Sequence, residues 1–260
     1  MTDPGHSVRL RISGRTDTGQ VRDNNEDSIH VWSRDDWLVL AVVADGMGGA
    51  VAGEEASRIA IETVRSGLGD ALGKHLISTD GFNPDSLSPH LKESIQDANL
   101  NIVERARRNP ELKGMGTTIT LALIREMNLI IGHVGDSRAY LIHDDGDINQ
   151  ITADHSFVQA LVAAGHITED EAEEHPMRNV LYRALGQASD VEVDIYSQHL
   201  SPNDRLVLCS DGLTLHLKAR EIAEVVLRLD DPEDASNELV EMANARGGRD
   251  NISVIVVKVE

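Results

Sequence analysis

Hydrophobic and polar positions alternate from Val8 to Ser13, which predicts a strand. Ser28–Trp32 and Trp37–Ala44 predict a strand pair turned at Ser33–Asp36. From Gly53 to Gly67 the apolar residues Ala56, Ile59, Ala60 and Val64 fall at helical spacing. Pro89–Arg108 reads as a second long helix, with Ser88 as N-cap and Pro89 at its first position. Between the two helices, Ile77–Pro89 is rich in Ser, Asp, Gly and Pro and reads as a surface loop. Thr117–Ile124, Asn128–Val134 and Arg138–His143 are β-rich runs with short connections, an antiparallel meander that ends in the turn Asp144–Asp147. Short helices are expected at Ser156–Ala164 and Glu169–Glu174, and strands at Val191–His199 and Arg205–Cys209. Amphipathic helices follow at Glu221–Leu229 and Pro232–Ala245. The last run, Ile252–Val259, is apolar enough to be a strand buried on both faces.

Strands in runs and helices in runs argue for α+β, with two mainly antiparallel sheets packed together and flanked by helices, a four-layer α-β-β-α sandwich. No internal repeat or low-complexity linker divides the 260 residues, so a single domain is expected. Aromatic residues make up 3% of the chain, and the core must therefore come from Val, Ile, Leu and Ala.

Charge narrows the function. Lys and Arg number 24 against 44 Asp and Glu, a net charge of −20. Nucleic-acid affinity rests on neutralising phosphates with cationic side chains, so this balance argues against nucleic acid and against an anionic membrane surface. One Cys allows no intramolecular disulfide and fits a reducing compartment. The N-terminus has no apolar signal-peptide core, and the longest apolar run, Trp37–Ala44, is too short to span a bilayer. A soluble, cytoplasmic protein is expected.

The acids themselves follow a pattern. The apolar run Leu38–Ala44 ends in Asp45-Gly46-Met47-Gly48-Gly49, and Leu206–Ser210 ends in Asp211-Gly212. Gly247-Gly248-Arg249-Asp250-Asn251 leads into the last strand, and Glu26-Asp27 precedes Ser28–Trp32. A carboxylate at the end of a buried strand is held rigidly, and Gly beside it lets other groups approach. Taken alone, Asp-Gly after a strand is only a turn signal. Several such carboxylates at one point would repel and shift each other's pKa, a conflict that a hard divalent cation such as Mg²⁺ or Mn²⁺ resolves.

These residues resemble a known family. Thr16–Ser28, Val43–Gly49 (VADGMGG), Gly114–Thr118 (GMGTT), Gly132–Leu141 (GHVGDSRAYL), Asp154–Ser156 (DHS), Leu208–Thr214 (LCSDGLT) and Gly247–Val254 (GGRDNISV) are similar, in order, to the motifs of the metal-dependent protein phosphatases of type 2C. They run from about residue 8 to residue 260, in the manner of the compact bacterial branch.

The resemblance implies hydrolysis of phosphoserine and phosphothreonine by a metal-activated bridging water at a binuclear Mn²⁺ or Mg²⁺ centre. By motif, Asp45 would bridge two ions, Gly46 would offer its carbonyl, and Asp211 and Asp250 would complete one ion. Glu26 and Asp27 would hold metal-bound waters, and Arg22 would grip the phosphate. It implies phosphoprotein substrates and a cognate bacterial serine/threonine kinase as partners, and a monomer. The catalytic set is then Arg22, Asp45, Asp211 and Asp250. A metal-binding pseudophosphatase or regulatory interaction module is the alternative.

Three positions depart from the pattern. Ala50 stands where many bacterial members carry His, and Met47 where eukaryotic members carry a His proposed as general acid. Leu215 replaces an Asp that, with Asp136 and Asp211, holds a third metal in the family. A third ion on Asp136 is therefore expected to be weak or absent. His155–Leu185 lies where the family carries its flap.

Other chemistries fare less well. Cys209 lacks the Arg six residues on that a cysteine phosphatase needs, and reads as a buried strand residue. Gly135–Ala139 lacks the last Gly of a nucleophile elbow, so Ser137 and Arg138 read as ties around Asp136. The 11 His form no zinc pattern and are expected mostly at the surface. Arg249 is expected to pair with a neighbouring acid.

Overall fold

The computed structural model describes residues 8–75 and 84–260. The elements run β1 (Leu10–Asp17), β2 (Ser28–Arg34), β3 (Leu38–Ala44), β4 (Gly46–Met47), α1 (Ala50–His75), α2 (Pro84–Arg108), β5 (Gly116–Thr117), β6 (Ile119–Arg125), β7 (Asn128–Val134), β8 (Arg138–Ile142) and β9 (Ile148–Gln150). They continue with α3 (Phe157–Ala163), α4 (Glu169–Glu173), β10 (Asp194–His199), β11 (Arg205–Cys209), α5 (Asp211–Thr214), α6 (Ala219–Arg228), α7 (Pro232–Ala245) and β12 (Ile252–Val259).

The strands form two five-stranded sheets, β1-β12-β11-β8-β9 and β10-β7-β6-β3-β2, and every pairing is antiparallel. The α+β sandwich expected from the sequence is the observed architecture.

The two-residue alternation of strands divides the core. Along β3, Val39, Ala41 and Val43 face the other sheet, where they meet Leu206, Leu208, Ile255 and Val257. Leu38, Leu40, Val42 and Ala44 face α1 and α2 instead, among Ala56, Val64, Leu91 and Ile95. β12 does the same for the first sheet: Val254 and Val256 meet Ile222, Val226, Leu239 and Val240 of α6 and α7. A strand covered on both faces is apolar at nearly every position: β3 is an unbroken aliphatic run, and β6 and β12 are aliphatic apart from Thr120, Arg125, Ser253 and Lys258.

Several boundaries differ from the sequence reading. α2 begins at Pro84, so Pro89 lies inside the helix and Ser88 is not its cap. Proline is tolerated in a first turn, and Pro84 takes that place; the missing N–H of Pro89 costs the helix one bond. Of the loop expected at Ile77–Pro89, residues 84–89 are helical and 77–83 lie outside the described residues. α1 runs from 50 to 75 rather than from 53 to 67. β1 extends to Asp17 because it pairs with β12 along its whole length, from Leu10↔Val259 to Asp17↔Ile252. The small ladder β4–β5 and the short helix α5 were not signalled by periodicity.

Gly132 on β7 marks where α2 lies closest to its sheet: a Cβ there would sit 2.7 Å from Cδ1 of the fully buried Ile95. Gly132→Ala is expected to cost about 1 kcal/mol in denaturant unfolding. Combined with Ile95→Val, it should cost less than the sum of the two single changes. Strict additivity would mean that this contact does not set the spacing.

Candidate metal centre

Antiparallel register brings the acidic segments together. Ser28 pairs with Ala44, so Glu26-Asp27 before β2 lies beside Asp45 after β3. In the other sheet Cys209 pairs with both Arg138 and Val254, which sets Asp211, Asp136 and Asp250 at one end of three adjacent strands. Asp17 pairs with Ile252, so the loop carrying Arg22 leaves β1 at that same end. The structure thus gathers Arg22, Glu26, Asp27, Asp45, Gly46, Asp136, Asp211 and Asp250 at one rim of the sandwich.

The carboxylates act on one another. Burial first, then Asp27, Asp211, Asp136 and Asp250, push the Asp45 carboxyl well above the usual range. Burial pushes Asp27 up to about 7, although Ser210 Oγ donates to its Oδ2 at 2.8 Å. Asp211 rises to about 6, again chiefly through burial and then through Asp250. Asp136 is raised by burial and by Asp211, and Glu26 by burial. Positive charge is scarce: Arg22 Nη2 donates to Asp250 Oδ2 at 2.7 Å.

Backbone and small residues hold this rim in place. The Asp45 N–H donates to Thr118 Oγ1 at 3.0 Å, while its carbonyl accepts from Thr118 N–H at 2.9 Å and from Thr117 Oγ1 at 2.8 Å. Gly46 is required by close approach, since a Cβ would lie 2.2 Å from the Gly53 carbonyl oxygen. Gly53 leaves room for a carboxylate, since a Cβ there would lie 1.9 Å from Glu26 Oε2.

The residues fit a hard divalent cation. Asp27 Oδ1 is buried and makes no hydrogen bond, an unmet acceptor at the acidic rim. The donor set is carboxylate and carbonyl oxygen, the chemistry that suits Mg²⁺ and Mn²⁺. Among the described residues no three of these carboxylates converge on a single point at coordination spacing. Asp250 instead holds Arg22.

Beside the rim lies an open groove of about 840 Å³, bounded by Asp136, Asp211 and Leu215 on one side and by Ser156, Glu169 and Glu173 of the 155–185 segment on the other. Leu215 is exposed at its edge, where the sequence pattern led us to look for an acid. Ser137 and Arg138 tie the Asp136 turn, as expected: Ser137 Oγ lies 2.7 Å from Thr118 Oγ1, and Arg138 grips Asp154 with Nε and Nη2. Cys209 is fully buried and its thiol is pushed up to about 12, which suits an inert core position.

One reading needs correction. Arg249 makes no ion pair among the described residues; its backbone N–H donates to His216 Nε2 at 3.0 Å, and the adjacent Asp250 is bound by Arg22. Most of the described histidines are at least partly exposed, as expected, while His133 and His155 are buried. His155 Nδ1 accepts the Gly135 N–H at 3.0 Å, and burial drives His133 down to about 3. The roles of Thr117, Thr118 and His155 were missed from the sequence. Their only signal was membership of the GMGTT and DHS motifs.

A protein phosphatase 2C family model matches residues 18–245. The serine/threonine phosphatase stp of Listeria monocytogenes is 37% identical over 244 residues, which cover 94% of each chain. The crystal structure of the serine/threonine phosphatase Stp1 from Staphylococcus aureus is similar at a TM-score of 0.86, with 37% identity over 96% of this chain and 95% of that one. The catalytic domain of the serine/threonine protein phosphatase PstP, solved in complex with two manganese ions, gives a TM-score of 0.82 at 36% identity, covering 97% of this chain and 99% of that one. The chain belongs to the protein phosphatase 2C family.

Proposed function

We propose that the 260 residues form one catalytic domain that removes phosphate from phosphoserine and phosphothreonine in proteins, with Asp45 at the centre of its metal site. The chain is a metal-dependent serine/threonine phosphatase, and phosphoproteins are its substrates. The observation that carries the site assignment is that antiparallel register sets Asp27, Asp136, Asp211 and Asp250 near Asp45 at one rim of the sandwich.

Two ions, Mn²⁺ or Mg²⁺, fit this set. Asp45 would bridge them, the Gly46 carbonyl would serve one, and Asp211 and Asp250 the other. Glu26 and Asp27 would orient coordinated water. When bound, such cations supply an acidified water nucleophile and offset the phosphate charge.

The chain's own residues do the rest. Arg22 is half-exposed on its loop, and its planar fork can take two phosphate oxygens. The Thr117 and Thr118 bonds keep Asp45 from turning away from its neighbours. No histidine stands at positions 47 or 50, so protonation of the leaving alkoxide falls to water at the site.

A cognate bacterial serine/threonine kinase, a monomeric state and a cytoplasmic location complete the reading. Among the described residues no helix is long and apolar enough to cross a membrane.

Asp45→Asn should abolish Mn²⁺-dependent hydrolysis of para-nitrophenyl phosphate and of a phosphothreonine peptide. Arg22→Ala should raise KM about tenfold or more with a smaller change in kcat. Wild-type activity that survives a chelator would sink the metal-dependent reading.

Metal binding should also depend on pH. Folding raises the pKa of Asp27 and Asp211, so their protonated forms favour the fold. That contribution is complete below the ordinary carboxyl value near 4 and is lost as pH rises through about 6 to 7. Cations replace those protons. The gain in Tm on adding Mn²⁺ should therefore be small at pH 5 and larger at pH 7.5 by scanning calorimetry. Equal gains would contradict proton–metal competition.

The Leu215 side chain offers no oxygen, so isothermal titration with Mn²⁺ should resolve two tight ions and at most a weak third. A third tight ion that disappears in Asp136→Ala would overturn this.

A further inference from the structure

The loop from Thr18 to Asp27 contains no helix or strand, yet it carries Arg22 and Glu26. Its position must come from tertiary hydrogen bonds. Three of its backbone groups end on one side chain. Asn251 Oδ1 accepts the Glu26 N–H at 2.8 Å, and Asn251 Nδ2 donates to the carbonyls of Thr18 and Asn24, each at 2.9 Å. Asn251 is itself buried, and its own N–H donates to Asp250 Oδ1 at 2.9 Å.

The chemistry of this position is restrictive. It needs one acceptor and two donors on a short side chain in a buried place, and only a primary amide supplies that set. Asp would keep the acceptor and lose both donors. The surroundings are close-fitting as well. A Cβ on Gly19 would lie 2.2 Å from the Asp250 carbonyl oxygen, and one on Gly212 would lie 1.9 Å from the Asn251 carbonyl oxygen. Gly19 takes φ +80°, and its N–H donates to Asp17 Oδ1 at 2.9 Å, closing the turn that leaves β1.

We propose that Asn251 is the positioning residue of this phosphatase: it clamps the 18–26 loop onto the Asp250 segment, so that Arg22 stands ready for the substrate phosphate and Glu26 for the metal site. The proposal rests on the reading of Arg22 as the phosphate-binding residue. The clamp spans Arg22, with Thr18 on one side and Asn24 and Glu26 on the other. Other bonds reach the loop, including Gln20 N–H to the Gly248 carbonyl at 2.7 Å and Asn24 Nδ2 to the Ala50 carbonyl at 3.1 Å. Loss of Asn251 therefore loosens the loop without detaching it. Asn251 touches no reacting atom, and its effect passes through Arg22 and Glu26.

The test uses the full chain with Asn251→Leu, which fills the same space without polar atoms, and Asn251→Asp, which keeps only the acceptor. With Mn²⁺ and para-nitrophenyl phosphate, Asn251→Leu should raise KM about tenfold, the worth of one well-placed hydrogen bond or two, with kcat within about threefold. Asn251→Asp should raise it too. In an Arg22→Ala background, Asn251→Leu should add little further increase in KM, because the residue through which it acts on phosphate binding is gone. In metal-free protein, hydrogen–deuterium exchange should quicken across residues 18–26, most at the Glu26 amide, and not in β12.

An unchanged KM, or the same fold-increase with and without Arg22, would overturn the clamp. Unchanged exchange in 18–26 would also overturn it, and that readout needs neither metal nor activity. If Asn251→Leu fails to fold, Asn251→Asp and the protection of the Glu26 amide in the wild-type chain decide the matter. If Arg22→Ala leaves KM unchanged while exchange responds to Asn251, it is the phosphate role of Arg22 that falls, and with it the proposed route from Asn251 to substrate.

Discussion

Mutual repulsion of carboxylates at one rim of the sandwich is the constraint to which the rest of the structure answers. Burial raises the pKa of Asp27, Asp45, Asp136 and Asp211, and repulsion from neighbouring carboxylates raises it further. A flexible chain would relieve this by moving the groups apart. Here each lies within two residues of the end of a strand that is itself fixed by neighbours in its sheet and by apolar cover. The aliphatic core is thus the counterweight that keeps the acids together at the rim.

The same constraint explains the arrangement of small and hydroxylic residues around the rim. Thr117, Thr118, Ser137 and Ser210 satisfy backbone and carboxylate groups without adding charge. Gly46 and Gly53 let α1 approach the ends of β2 and β3 so closely that any Cβ would strike a carbonyl or a carboxylate. Asp27 Oδ1, left without a hydrogen bond while its sister oxygen takes Ser210, shows where this economy stops.

Much of this was legible in the sequence because it follows short-range rules. Two-fold alternation and unbroken aliphatic runs located the main strands, and Asp-Gly after a strand located Asp45 and Asp211. What escaped depends on contacts between distant segments. Pro89 looked like a helix start because local capping chemistry fits it, but Pro84 offers the same chemistry five residues earlier. His155 was visible only as a letter of the DHS motif, and the fold alone places its Nδ1 against the Gly135 N–H. Asn251 could be seen only as one letter of a motif, since its partners at Thr18, Asn24 and Glu26 lie more than 220 residues away. Arg249 failed in the opposite sense: the acid next to it, Asp250, is bound by Arg22.

The net charge of −20 has a different origin from the site. If two divalent ions were held at the rim they would cancel only about four of those charges, by simple valence. The remainder is a shortage of bases rather than a cluster of acids. Arg11 faces Asp230, Asp231 and Glu260, Arg58 faces Glu55 and Glu62, and Lys258 faces Asp230 and Glu260, so single cations are divided among several carboxylates. Such exposed pairs add little stability individually. Their consequence is long-range: the surface repels a phosphoprotein of like charge, while Arg22 offers one local attraction at the rim. Discrimination among phosphoproteins then begins before contact, in favour of phosphosites carried on basic sequence.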